Sequence, residues 1–501
     1  MNSDIFTASS TSPSSSEEIV TVSPGLETQR LLESIYAVSL EEIGSSEFMK
    51  AYCIHLERLA IQAHLTAALI SSSHSDLVST TSGSILTGSS GLWSGDEYIV
   101  EALLENTTKL EDLIATLLAL EHWRDNVLFR KKKGVEDNEV EFEIVGGERD
   151  VLDEYRSLNE VDGGEEAAPK ELASLLAENG NAIRAAFILH AETTIVAILN
   201  LVFYKGIPAS FLEGEGDQYL LSLVDYCARQ LVFLGTPEGA NPALRRQKCP
   251  LTASELSTYL ESRSRLDEIQ DTVYDESYRA AIAAVSLARY FCENVEDLPT
   301  SIVSRMLEVH DWPLLMVTLI EEPPWTRRRQ IEQKVVWEKL NDSNNGWSEV
   351  SPNDLLVLTK AEGQPWLALF HLTASKVCRE SYRLDEFRKG SLCRCRRYIH
   401  ETLTDQLPVL QEVARYLDEL SILGVPSVGG ASKASSSGLL LQRVDSLRES
   451  VIGHKNTNTD ERLDSIVKYQ WTEIFSCVTD SKDEDLKRLA FEVYDGLEDV
   501  C

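Results

Sequence analysis

The chain has 501 residues and carries 81 acidic against 47 basic side chains, a formal net charge of -34. That surplus repels phosphate backbones and argues against nucleic acid or an anionic membrane as the main partner. Hydrophobic residues make up 43% and aromatic residues only 7%, which, with long Leu-, Ala- and Glu-rich periodic segments, favours an all-α architecture over a sandwich or barrel.

The start, MNSDIFTASSTSPSSSEE, has no basic region followed by an apolar one, so it is not read as a secretory signal; residues 1–28 read as a disordered Ser-rich tail. Glu27 to Ile43 and Glu47 to Ile70 carry apolar residues three and four apart, among them Leu56, Leu59, Ala63 and Ala67, and predict two amphipathic helices. Ser71 to Gly95 is rich in Ser, Gly and Thr and predicts a loop. Helix resumes near Glu97 and runs through LEDLIATLLALEHW to Phe129.

The basic run Arg130 to Lys133 reads as a solvated helix end. Residues 134–166 repeat Asp, Glu and Gly and read as a solvated acidic insertion, within which EVEFEIV permits a short strand. Ala185 to Tyr204 is apolar almost all round and could be mistaken for a membrane span. Because Glu192, His190 and Asn200 lie inside it, a buried core helix closed by Gly206 is the better reading, with Glu192 paired.

Further loops are expected near Phe211 and from Thr236 to Pro250. Thr300 to Glu321 predicts a helical hairpin: Thr300 or Ser301 caps one helix, His310 and Asp311 end it, Pro313 suits the first turn of the next, and Pro323 with Pro324 stops that one. Leu307, Leu315 and Leu319 are its expected core residues. Hairpins of this kind stacked together give an irregular helical array, armadillo- or HEAT-like, without a strict period. The array body spans 29–423, the Gly/Ser/Pro run 424–438 reads as a linker, and 439–501 as a C-terminal helical region.

No Walker loop, dinucleotide fingerprint, GxSxG elbow, HExxH or EF-hand loop occurs. The reading is therefore non-enzymatic, with no catalytic and no cofactor-binding residues. His190 and Glu192 form an H-x-E without the downstream P-C-x-x-C of zinc deaminases, and residues two apart on a helix do not face each other. Cys393, Cys395 and His400 invite zinc, but C-x-C on a helix points two ways and no second knuckle exists, so no metal site is assigned. Nine scattered cysteines fit reduced thiols and a cytoplasmic location. The tryptophans at 312, 325, 337, 347 and 366 read mainly as core anchors. Trp325, flanked by prolines and by Arg327, Arg328 and Arg329, is the candidate surface contact for a partner.

Several separated blocks carry a family likeness. They are LEHW at Leu120 to Trp123, Leu189 to Lys205, LVDYC at Leu223 to Cys227, Ser304 to Arg329, GQPWLALF at Gly363 to Phe370, Phe387 to Leu410, and YQWTEIF near the C-terminus. In this order they resemble the BLU family of MYND-type zinc-finger proteins, over roughly residues 30 to 500. The resemblance implies a cytoplasmic co-chaperone or adaptor for preassembly of axonemal dynein arms, needed for motile cilia, and placed in the cytoplasm, at centriolar satellites or at the ciliary base. It also implies, as partners, an Hsp90-type chaperone, an immunophilin, a leucine-rich-repeat dynein assembly factor and dynein chains. Family members continue into a zinc-holding MYND finger where this sequence reaches Cys501, so the finger-dependent contact with the leucine-rich-repeat factor is not carried over and no zinc is expected. The competing reading is a general helical-repeat scaffold unrelated to cilia.

Overall fold

The computed structural model describes residues 24–61, 95–129, 172–178, 181–212, 216–236, 263–331, 334–340, 346–352, 354–422, 446–452 and 459–475. Residues 1–23 of the Ser-rich tail, most of the 71–95 loop, the acidic insertion and the 424–438 linker lie outside them. The described chain is an all-α helical array with one small sheet. Its main helices are α1 (Pro24–Glu33), α2 (Gly95–Glu105), α3 (Thr107–His122), α4 (Ala182–Lys205), α5 (Asp217–Gly235), α6 (Arg265–Glu293), α7 (Trp312–Glu321), α8 (Lys360–Ala374), α9 (Glu386–Arg394), α10 (Leu410–Ile422), α11 (Ser446–Ile452) and α12 (Thr459–Tyr469).

Helix α1 begins inside the stretch expected to be tail, and it stops ten residues short of the predicted Ile43 end. The Ser34 hydroxyl donates to the Leu31 carbonyl at 2.6 Å and helps turn the chain there. Asn106 divides the predicted Glu97–Phe129 helix into α2 and α3.

The core is built around α4 and α6, which pack along their lengths, with α3 and the segment Met49–His55 against the other sides of α4. That explains why α4 is apolar all round: Ile188, Leu189, Ile195, Val196, Ile198, Leu199 and Phe203 are all buried. Helix α4 is long and apolar enough to cross a membrane by composition, yet the chain's own helices cover it, and only its ends emerge, at Ile183 and Tyr204. Gly206, at φ 126°, follows its last residue.

Four helical segments widen into π-turns: Met49–His55, Trp123–Leu128, Arg305–Val309 and Gln470–Phe475. Each wide turn lets a side chain leave the regular helical stripe. Each of them supplies a buried or bridging polar group: Tyr52, Arg124, Arg305 and Gln470. Gln470 accepts from the Trp123 indole at 3.0 Å and donates to the Leu40 carbonyl at 2.6 Å. Through this contact, and through Ile466, Val467, Ile474 and Phe475, the C-terminal helices return to the first core. Gly44 has φ 89°, and a Cβ there would meet the Phe475 ring at 2.7 Å, so glycine is required for this approach.

A second core lies farther along the chain. Val317 and Ile320 of α7, Trp366 and Leu369 of α8, Leu392 of α9 and Val413 and Leu417 of α10 form it. Helix α7 serves both cores, because Trp312, Met316 and Leu319 face the first. The predicted helical hairpin is present, with its first helix from Thr300 through Val309 and Pro313 in the first turn of α7. Leu307 and Leu319 are fully buried, but Leu315 is only half-buried and Met316 takes the interior place.

The sheet was not anticipated. Its strands β1 (Thr326–Ile331), β2 (Lys334–Leu340) and β3 (Trp347–Val350) are antiparallel in the order β1-β2-β3, with Arg327 opposite Glu338 and Arg328 opposite Trp337.

Candidate protein-interaction site

Pro323 and Pro324 end α7 and start the chain into β1, where alternate side chains fall on opposite faces. One face carries Trp325, Arg327, Val336, Glu338, Leu340 and Trp347, and it packs on α6. The Tyr278 hydroxyl donates to the Pro324 carbonyl at 2.9 Å, and its ring lies along Trp347 with centroids 6.3 Å apart. Trp325, expected at the surface, is therefore buried, at 2% exposure. The peptide there is fixed as well, since the Leu340 amide donates to the Trp325 carbonyl at 3.0 Å.

Arg327 is clasped rather than free. Its Nε donates to Glu338 Oε2 at 2.7 Å, and its guanidinium sits 4.1 Å from the Trp347 ring centroid. Arg328, on the other face, is exposed and lies 4.2 Å from the centroid of Trp337. Nothing is described for the Arg329 side chain. Of the predicted contact, Arg328 remains as solvent-facing charge, Arg327 orders the strand, and Trp325 is an anchor.

At the same end of the sheet but on its opposite face, buried Lys339 donates to Glu362 Oε2 at 2.9 Å and to the Val357 carbonyl at 2.8 Å. Glu362 also caps α8 through the Thr359 amide and accepts from the Thr326 hydroxyl. One carboxylate thus ties β1, β2 and the start of α8 together.

The H-x-E residues part as their spacing implied. His190 Nδ1 is 3.1 Å from Glu276 and Nε2 is 3.3 Å from Glu57. Burial lowers its pKa, but the two carboxylates outweigh that and push it up to about 10. Glu192 points elsewhere, 2.5 Å from Arg124 and 2.9 Å from the Tyr226 hydroxyl. Desolvation nevertheless pushes its carboxyl up to about 7. Beside this pair, Glu121 receives both Arg229 and Gln230. Asp225 holds Arg305 at 2.6 Å and His310 at 2.6 Å, and these partners overcome burial and hold its carboxyl at about 2.

The partners of these groups are scattered across the sequence, so no local pattern could have paired them. Perturbed titratable groups mark candidate catalytic centres when they line a cleft. Here they join helices inside the array. An open groove of about 520 Å³ lies elsewhere, between Arg396, His400, Gln411, Asp418 and Ile422.

Cys393, Cys395 and His400 do not converge. Cys393 Sγ lies 3.9 Å from the Leu417 carbonyl, Cys395 is buried in the second core, and His400 Nδ1 accepts from the Leu403 amide at 3.3 Å. Among the described residues no group of three His, Cys, Asp or Glu side chains could hold a metal ion. Trp312 and Trp366 are buried as expected of anchors, while Trp337 and Trp347 are half-buried under arginines.

Over 272 residues the chain is 26% identical to the zinc finger MYND domain-containing protein 10 homolog of Drosophila melanogaster. The similarity supports the MYND-protein family. It covers 53% of this chain and 52% of the relative, so the match spans about half the length of each. No family model matches the chain. No solved structure matches it either.

Proposed function

We propose that this chain is a non-enzymatic helical adaptor that acts in the cytoplasmic preassembly of axonemal dynein arms. The observation carrying the proposal is the similarity over 272 residues to a MYND domain-containing protein, joined to the ordered sequence blocks that resemble the BLU family. The architecture is compatible with the work. Stacked helices give an extended surface for holding clients and need no cofactor, and the ionisable groups inside the array are occupied with each other.

The proposed partners are dynein heavy and intermediate chains with an Hsp90-type chaperone and an immunophilin. Affinity purification of the tagged chain from the cytosol of motile-ciliated cells, followed by mass spectrometry, is the test. Dynein chains together with chaperones are the expected companions. Recovery of a partner set from an unrelated pathway, with no dynein chain, would overturn the proposal.

A further inference from the structure

The hydrogen bond from the Leu340 amide to the Trp325 carbonyl makes Trp325 and Leu340 a hydrogen-bonded pair. Antiparallel pairing alternates, so Arg327–Glu338 and Arg329–Val336 are also such pairs, and the amides and carbonyls of Arg328 and Gln330 point away from β2. Since β1 is an outer strand, those groups lie on an edge that no described strand covers. We propose that this edge docks one extended acidic segment of a partner protein, which adds to the sheet as a fourth strand. The inference rests on reading this sheet as a contact surface for the proposed function.

Three observations select that occupant. The edge strand reads TRRRQI in a chain of net charge -34, and its Arg328 stands exposed there, so the edge offers a positive charge to a carboxylate. Arg328 is exposed yet held over Trp337, so its charge is already positioned and little side-chain freedom is lost on binding. A second copy of the same edge would set arginines against arginines, which disfavours self-pairing. The opposite edge is unsuited to an acidic strand, because β3 presents exposed Glu349 there.

The probe is an acetylated seven-residue peptide alternating glutamate and valine, titrated against the full chain by fluorescence anisotropy, with backbone hydrogen exchange read in parallel. Binding should weaken with salt, and the amides of Arg328 and Gln330 should gain protection while those of Arg327 and Arg329 change little. Arg328→Ala should weaken binding about fivefold. Arg328→Pro, which also removes the outward amide, should weaken it about twentyfold or more. If the proline variant unfolds, the exchange pattern of the unsubstituted protein decides.

A peptide N-methylated at alternate amides should not bind. Equal binding by that peptide would show charge adhesion without strand addition, and would overturn the inference. Tighter binding after deletion of residues 134–166 would make the chain's own acidic stretch the occupant, and would overturn it too. So would absence of binding at low salt. None of these outcomes touches the arm-assembly proposal, which stands or falls on the proteins recovered from cytosol.

Discussion

Arg124 and Glu192 are 7% and 3% exposed in their side chains, and a buried pair of this kind is costly to break from one side. Arg124→Ala leaves a carboxylate buried beside Glu121 and should destabilise the protein by about 3–5 kcal/mol in urea unfolding. Arg124→Met combined with Glu192→Leu should recover most of that loss. His190 makes a different prediction. Its pKa is about 10 in the fold against an ordinary 6.5, so its stabilisation is fully present below pH 6.5 and is lost as pH rises through about 10. With solvent screening at this partly exposed ring, the loss amounts to about 1–2 kcal/mol. His190→Gln should flatten the stability profile between those limits; an unchanged slope would mean the Glu57–His190–Glu276 bridge is not populated. At this scale the sequence was only half legible. The apolar surroundings of Glu192 demanded a partner, but Arg124 stands 68 residues away, and no spacing rule could have named it.

Helix α7 shows what an element reveals and hides. Its prolines marked the start and the stop, and both are where the residues placed them. Its inward positions were harder to read, because the helix faces two cores and apolar residues occur nearly all round it. Leu319→Ala should therefore cost about 2–5 kcal/mol, and Leu315→Ala markedly less, about 1 kcal/mol, since Leu315 already meets solvent. Equal costs in chemical unfolding would mean that the helix is rotated.

The sheet was illegible for another reason. TRRRQI has neither apolar alternation nor β-branched richness, and it becomes a strand only because Trp337, Trp347 and Glu338 receive its guanidinium groups across the sheet. The cysteines give the element-scale prediction about metal. With Cys393, Cys395 and His400 directed to three separate surroundings, the purified 501-residue chain should hold no stoichiometric zinc by elemental analysis. One or two tightly held ions per chain would show that a cysteine cluster has been misread.

Across the whole molecule, composition and periodicity foretold the helical class, and the array follows from stacking apolar faces around α4 and α6. What they missed is closure. The C-terminal segment returns over more than four hundred residues to the turn before Gly44, where Gln470 meets the Leu40 and Ile43 carbonyls and Arg184 lies 5.2 Å from the centre of the Phe475 ring. An array tied together in this way is compatible with a holding surface, and it is the likeness of the sequence blocks to the BLU family that points the proposal to dynein-arm assembly. The decisive measurement is electron microscopy of axoneme cross-sections after depletion of the protein in a motile-ciliated cell of the source organism. Axonemes of nearly normal length that lack dynein arms and do not beat are the predicted result, and full arms after complete depletion would contradict the account.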